Sequence, residues 1–302
     1  MNKLKKWFWQ LEEYFYEWKT RYFIKPERVN AVKSGLNSSL VVSLTSYPPR
    51  YPKLELTLKC LLSQSIKPDE LILWVAKNDY EALPSSVLQL ENTFSYFNIR
   101  SCDDLGSYKK IIPTLQLWPD SFIVTADDDV YYPKNWLSGL VEAARLAPDR
   151  VSGYRLHEIT FNLDGNISPY RLWRHNVAAN TQSEHLFATG CGGIIYPPNT
   201  LHSDVADIKT ILSICQNADD VWLYWMLQRG GASVGSVGKQ LNVVSWRGSA
   251  QTSLTQENYL NNRNDIIIKS LVNHFGNVVP LPHSGSVESA HSARLINFKN
   301  TD

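Results

Sequence analysis

The sequence predicts an α/β fold, a mostly parallel sheet covered by helices. Two observations carry this expectation. From about residue 40, short apolar runs of strand length alternate with stretches whose apolar residues recur at helical spacing. One of those runs, Phe122 to Ala126, ends directly in three consecutive carboxylates, Asp127, Asp128 and Asp129. In open α/β sheets, ligands bind beyond the carboxyl ends of the strands, and buried carboxylates there call for a cation.

The elements follow in order. Leu4, Trp7, Phe8, Leu11, Phe15, Trp18 and Tyr22 share one face of a helix over residues 1 to about 24, with lysines on its flanks. An amphipathic basic helix rich in Trp and Phe suits a membrane interface. It equally suits docking on its own domain or on a second subunit, since Glu12, Glu13 and Glu17 dilute the basic face. Pro26 ends the helix, and residues 27 to 38 read as a linker. Leu40 to Leu44 reads as a buried strand, Leu54 to Leu62 as a helix and Leu71 to Val75 as a second strand. A helix or turn near Val87 to Phe94 precedes a short strand ending near Arg100. Lys109 to Leu117 reads as a helix, Phe122 to Thr125 as a strand and Asn135 to Leu146 as a helix. Val151 to Ile159 and Gly193 to Tyr196 read as strands. Asp219 to Gln228 reads as a helix with acidic residues at its start and Arg229-Gly230-Gly231 as its stop. The organisation predicted is a helix and linker over 1–35, a single α/β domain over 36–276 and a loose tail over 277–302.

The 302 residues, 43% hydrophobic, are enough for a large core. A net charge of +1 gives no global field for nucleic acid. Cys60, Cys102, Cys191 and Cys215 show no metal-finger spacing, so reduced thiols in a cytoplasmic protein are expected. No stretch has the ~20 apolar residues that span a bilayer.

The residues that could carry chemistry fall into four groups. On an extended segment, Asp127 and Asp129 point to one side, toward a shared Mg²⁺ or Mn²⁺, with Asp128 pointing elsewhere. A solvated acidic loop or a helix cap is the alternative. Asp219 and Asp220 open a helix, either as caps or, if one projects into a cleft, as a general base. Gly190, Gly192 and Gly193 allow close backbone approach to a ligand, or simply a strained turn. Arg50, Lys109 and Lys110 could neutralise a phosphate, or lie on solvated surface. His157, His175, His185 and His274 are candidates for a further metal ligand, with a structural role the alternative for each.

Five segments occur in a telling order: V-V-S-L-T-S-Y-P-P-R (41–50), S-Y-K-K-I-I-P (107–113), I-V-T-A-D-D-D-V-Y-Y-P (123–133), T-G-C-G-G-I-I-Y-P (189–197) and A-D-D-V-W-L (218–223). Together, over roughly residues 40 to 265, they resemble bacterial GT-A glycosyltransferases of the family-2-like kind found in surface-polysaccharide synthesis. The resemblance implies a Rossmann-like mixed sheet flanked by helices and a nucleotide-sugar donor, a UDP-sugar favoured. The acceptor would be a glycan or lipid-linked glycan at the inner membrane face. It places Asp127 and Asp129 on Mn²⁺ or Mg²⁺ and Asp128 toward the donor sugar or ribose. Thr45, Tyr47 and Arg50 would receive the nucleotide, Asp79 would contact the nucleoside, and Lys109 or Lys110 would sit near the donor. Gly190 to Gly193 would line the donor–acceptor junction. Asp220 would be the base of an inverting reaction, with Asp219 its neighbour. Position 219 carries Asp where the family's motif has Glu, so the pair can also be read one residue off. A nucleotidyltransferase making an activated sugar is a rival reading, although Tyr47-Pro48-Pro49-Arg50 is a poor phosphate loop. A non-catalytic carbohydrate-binding protein on the same fold is another.

Overall fold

In the computed structural model, residues 3–28, 30–249 and 262–281 are described. The expected α/β architecture is present. Helix α1 (Lys3–Phe23) stops before Pro26, which opens a 3-10 turn. The segment read as a linker is partly tied down: β1 (Val32–Lys33) pairs in parallel with β3 (Ile66–Lys67). Beyond it come β2 (Leu40–Thr45), α2 (Tyr51–Leu62), β4 (Glu70–Ala76), α3 (Ser85–Thr93) and β5 (Phe97–Cys102). Then follow α4 (Ile112–Leu117), β6 (Phe122–Ala126), β7 (Val130–Tyr131) and α5 (Trp136–Leu146). The rest comprises β8 (Arg150–Gly153), β9 (Leu156–Glu158), β10 (Leu186–Ala188), β11 (Ile194–Tyr196), α6 (Ile208–Ile214) and α7 (Asp219–Arg229), then β12 (Ser233–Ser236), β13 (Val244–Ser245) and α8 (Arg263–Phe275).

Seven strands form the central sheet in the order β12-β8-β11-β6-β2-β4-β5. All neighbours are parallel except where β11 runs against β6 and β8. Chain order reverses beside β2: β4 lies on one side, and β6, which follows β5, lies on the other. That reversal opens a crevice at the carboxyl ends of β2 and β6, where α/β sheets place their ligands. Leu44 is paired with Ala126, so Thr45 and Asp127 leave the sheet side by side.

The sheet separates two cores. Val42, Val124 and Ile195 face α2, α3 and α5, while Ile123, Ile194 and Val151 face α7 and α8. This is the period of two in a sheet buried on both faces. Each fully buried Leu or Val removes an apolar side chain from water, worth about 1.5–3 kcal/mol.

Two elements differ from expectation. The helix predicted over Lys109–Leu117 splits into a 3-10 turn (Gly106–Lys110) and α4. Pro113 explains the break: it has no N–H for the carbonyl four residues back and its ring crowds that carbonyl, so it is accommodated in the first turn of a new helix. The strand predicted over Val151–Ile159 divides into β8, in the main sheet, and β9, which leaves that sheet to pair with β10 and, at Glu158, with Arg174. Residues 277–281 of the expected tail are among those described; residues 282–302 lie outside them.

Candidate active site

A cavity of about 940 Å³ opens at the carboxyl ends of β2, β4 and β6. Thr45, Tyr47, Arg50, Asp79, Lys109, Lys110, Asp127, Asp128, Asp129, Gly190, Asp219 and Asp220 all line it. The fold thus brings nearly all the expected residues together from both halves of the chain.

The acidic triplet is not extended. β6 ends at Ala126, and Asp128 and Asp129 lie in a turn before β7. Strand alternation therefore does not decide their directions. Asp128 accepts a hydrogen bond from Ser46 Oγ (2.5 Å) and lies 3.9 Å from Arg50 Nη1. Asp129 pairs with the same guanidinium nitrogen. Asp127 instead meets Lys110 Nζ at 2.9 Å. The turn is pinned from behind: Tyr132 Oη accepts from the Asp127 amide (2.8 Å), Thr57 Oγ1 donates to the Asp128 carbonyl (2.7 Å), and Trp246 N donates to the Asp129 carbonyl (2.8 Å). Burial, then the charges of Asp129 and Asp127, push the Asp128 carboxyl up to about 7 against the pull of Ser46 and Arg50. Burial and the Asp127 charge likewise raise Asp129.

The second acidic pair sits at the start of α7, across the cavity. Asp219 Oδ2 lies 3.2 Å from Lys110 Nζ, an ion pair without hydrogen-bond alignment. Asp220 Oδ1 accepts the Gly190 amide at 2.8 Å. Burial and the adjacent Asp219 raise Asp220 to about 7, although Lys110 and the Gly190 N–H favour its charged form. Gly190 leaves room for both side chains here. A β-carbon on it would lie 3.0 Å from Asp220 Oδ1 and 3.3 Å from Lys110 Nζ.

Lys110 is the hub of the arrangement. Its ammonium is buried, and despite the cost of that burial the charges of Asp127, Asp219 and Asp220 hold its pKa well above the usual lysine value. Five carboxylates (Asp127, Asp128, Asp129, Asp219 and Asp220) thus share two cations, Lys110 and Arg50. Lys109, also buried, pairs instead with Asp104 on the cavity wall.

The other expected residues take varied places. Thr45 Oγ1 donates to the Trp74 carbonyl (2.9 Å), and Tyr51 Oη donates to the Asp79 carbonyl (3.2 Å) and fixes that turn. Gly192 and Gly193 stand behind the wall rather than on the cavity. Trp136 Nε1 donates to the Gly192 carbonyl at 2.6 Å, and a β-carbon on Gly193 (φ +97°) would lie 2.5 Å from the Trp136 ring. Their glycines serve packing and backbone conformation.

The far end of the cavity was not singled out by sequence as a ligand surface. Arg155, His157, Tyr170, His175, Phe187 and Asn264 line it. His157 and Phe187 are stacked, and His157 meets His175 edge to face. Burial and Arg155 drive the His157 pKa down to about 3, so the ring is neutral, and its Nδ1 accepts the Asn176 amide. Asn264 Oδ1 is buried without a hydrogen bond. His185 and His274 lie elsewhere, against the Pro280 carbonyl and the Phe275 ring. Among the described residues, no group of three or more His, Cys, Asp or Glu side chains converges. A divalent cation of the Mg²⁺ type takes one or two carboxylates and fills its shell with water and phosphate oxygens; in the acidic turn Asp127 and Asp129 are each met by a cation of the protein, Lys110 and Arg50. All four cysteines are free, and burial lifts the Cys191 thiol on the cavity wall to about 11.

No protein-family model and no curated protein sequence matches the chain. Among the solved structures that resemble it are two of low identity. One is the mannosyltransferase PcManGT from Pyrobaculum calidifontis in complex with GDP-Man and Mn2+ (TM-score 0.49, 13% identity, 95% of this chain and 88% of that one). The other is 4-diphosphocytidyl-2C-methyl-D-erythritol synthase (TM-score 0.40, 10% identity, 68% of this chain and 94% of that one).

Proposed function

We propose that this protein is a divalent-cation-dependent glycosyltransferase that moves a sugar from a nucleotide-sugar donor to a glycan or lipid-linked glycan hydroxyl, with inversion. The observation that carries this reading is the single ammonium of Lys110, which joins the acidic turn after β6 to the acidic start of α7 within one cavity. Sugar transfer needs two charged groups at once. One stabilises the diphosphate leaving group, and the other takes the proton of the attacking hydroxyl.

In this reading Asp127 and Asp129 hold Mn²⁺ or Mg²⁺, which supplies charge to the departing diphosphate. Arg50 and Lys110 add positive charge beside it. Thr45, Tyr47 and Asp79 bound the nucleotide end, and Asp128, held by Ser46, faces the donor sugar or ribose. Asp220 is the base. It lines the cavity, its carboxyl titrates near 7, and the Gly190 amide fixes one of its oxygens. Asp219 is the positioning partner, tied to Lys110. The far end with Tyr170, His175 and Phe187 suits a sugar acceptor, since aromatic faces cover the apolar faces of sugar rings.

A panel of nucleotide sugars, each with and without Mn²⁺, tests the reading by thermal shift and by release of labelled nucleoside diphosphate. One donor is expected to stabilise the protein only with metal and to release diphosphate when acceptor is added. Release of pyrophosphate from a nucleoside triphosphate and a sugar phosphate favours the nucleotidyltransferase reading instead. Binding without turnover favours a non-catalytic carbohydrate-binding role.

A further inference from the structure

Helix α1 presents two opposed faces, and one of them seats it on the described part of the fold. On the inner face the Tyr16 ring packs on Tyr131 (4.3 Å between centroids), and Lys19 Nζ donates to Tyr131 Oη (3.3 Å). Thr20 is buried beside Cys60. The three acids of the helix turn the same way. Glu17 pairs with Lys53 (2.7 Å), Glu12 accepts from Asn242 Nδ2 (2.6 Å), and Glu13, partly buried, lies in the fields of Lys53 and Arg247. At 100° per residue, Leu11, Phe15, Trp18 and Tyr22 fall on the opposite side. Each is between 45% and 60% exposed, as is Trp7. Phe15, Trp18 and Phe23 pack on one another, so the outer face is a preformed aromatic ridge.

We infer that this ridge docks the protein on an anionic lipid surface, lying in the headgroup plane. The acids that dilute the basic helix in the sequence all point at the protein, so the outward face carries none of them. Basic residues flank it: Lys3, Lys5 and Lys6 in the first turns by sequence, and at the other end Lys25 and Arg21, which is half-exposed and meets Glu17 at 3.4 Å. The ridge is aromatic, with Leu11 the one aliphatic residue among those named. Trp, Tyr and Phe favour the bilayer interface, whereas a helix-pairing seam favours Leu, Ile and Val. No described helix is long and apolar enough to cross a membrane, so the contact is peripheral. The inner face of the same helix touches Tyr131, two residues beyond the acidic turn, which fixes the cavity relative to the lipid plane. The inference does not depend on the transferase reading.

Sedimentation of the full chain with phosphatidylcholine vesicles, with and without phosphatidylglycerol, tests it. Binding is expected with the anionic vesicles, weakened by salt. The double variant Phe15→Ser/Trp18→Ser should lower the partition coefficient roughly 10- to 100-fold, with an unchanged melting temperature. Arg21→Glu/Lys25→Glu provides a second test that leaves the ridge intact and should weaken binding to anionic vesicles alone. Failure of the wild-type chain to bind either vesicle overturns the inference. So does a concentration-dependent dimer that Phe15→Ser/Trp18→Ser dissociates while vesicle binding is absent, since the ridge then serves a second copy.

Discussion

Asp127, Asp128 and Asp129 leave the end of a buried strand, whereas Asp219 and Asp220 occupy the first turn of a buried helix. Side chains from elsewhere meet the strand-end charges: Arg50 from the turn after β2, Lys110 from the turn before α4, and the Ser46 hydroxyl. The helix start has main-chain help in place. It carries the positive end of the α7 dipole, and Gly190 offers an amide. A strand end has no comparable field. The comparison teaches which cluster has the greater need of further positive charge. The β6 turn packs three carboxylates with too few partners, and the α7 pair is partly neutralised by its own backbone and by Lys110.

Four experiments would sharpen or break that contrast. The largest effect is expected from Asp220→Asn. Turnover should fall by roughly 10²–10⁴, the usual worth of a positioned base, while donor affinity stays within a few-fold. Equal loss of donor binding would place Asp220 on the donor side and erase the division between the clusters. Lys110→Met comes next. It leaves three carboxylates around a buried methyl group, and stability in urea should drop by about 3–5 kcal/mol, with turnover lost as well. A change of less than about 1 kcal/mol would mean the two clusters are not joined through it.

The third test is pH. With Asp220 as base, turnover should rise about tenfold per unit below pH 7 and level off above it. The stability effect has the opposite sign. The folded carboxyl of Asp220 titrates above its ordinary value near ~3.9, so its stabilising contribution is full below that value and is lost as pH rises through about 7. Asp220→Asn should therefore gain in melting temperature relative to wild type between pH 5 and pH 8. The smallest effects come from a pair of glycines. Gly190→Ala pushes a methyl toward Asp220 and Lys110, and turnover should fall several-fold with stability lowered by about 1 kcal/mol or less. Gly193→Ala meets the Trp136 ring at positive φ. It should cost about 1–3 kcal/mol in urea, with turnover per folded molecule unchanged.

Much of this was legible in the chain itself, for physical reasons. β2, β4 and β6 are mostly apolar runs, and α7 has acids at its start and glycines at its stop, so local pattern and final structure agree. Local pattern misjudged the backbone at Pro113, where one residue cut a helix in two. It also missed the divide near Tyr154, where pairing partners rather than periodicity assign β8 and β9 to different sheets. The far wall of the cavity was only partly legible, through His157 and His175 as candidate metal ligands, and its assembly was hidden for a different reason. His157, Tyr170, His175, Phe187 and Asn264 come from separated segments, and no spacing rule joins them. The role of Lys110 was hidden in the same way. In sequence it is one of two adjacent lysines, and only the fold brings Asp127 and Asp219 within reach of one ammonium while Lys109 turns to Asp104.

That shared ammonium makes the two clusters reciprocal. Any ligand that draws Lys110 toward Asp127 weakens its hold on Asp219 and Asp220, and so raises the proton affinity of the α7 pair. By thermodynamic necessity, a proton added at α7 alters affinity for that ligand by the same factor. Titrations of the two clusters then report macroscopic constants of the assembly rather than of single residues. Occupancy at one end of the cavity is thereby communicated to the other across a single side chain, with no movement of the backbone required.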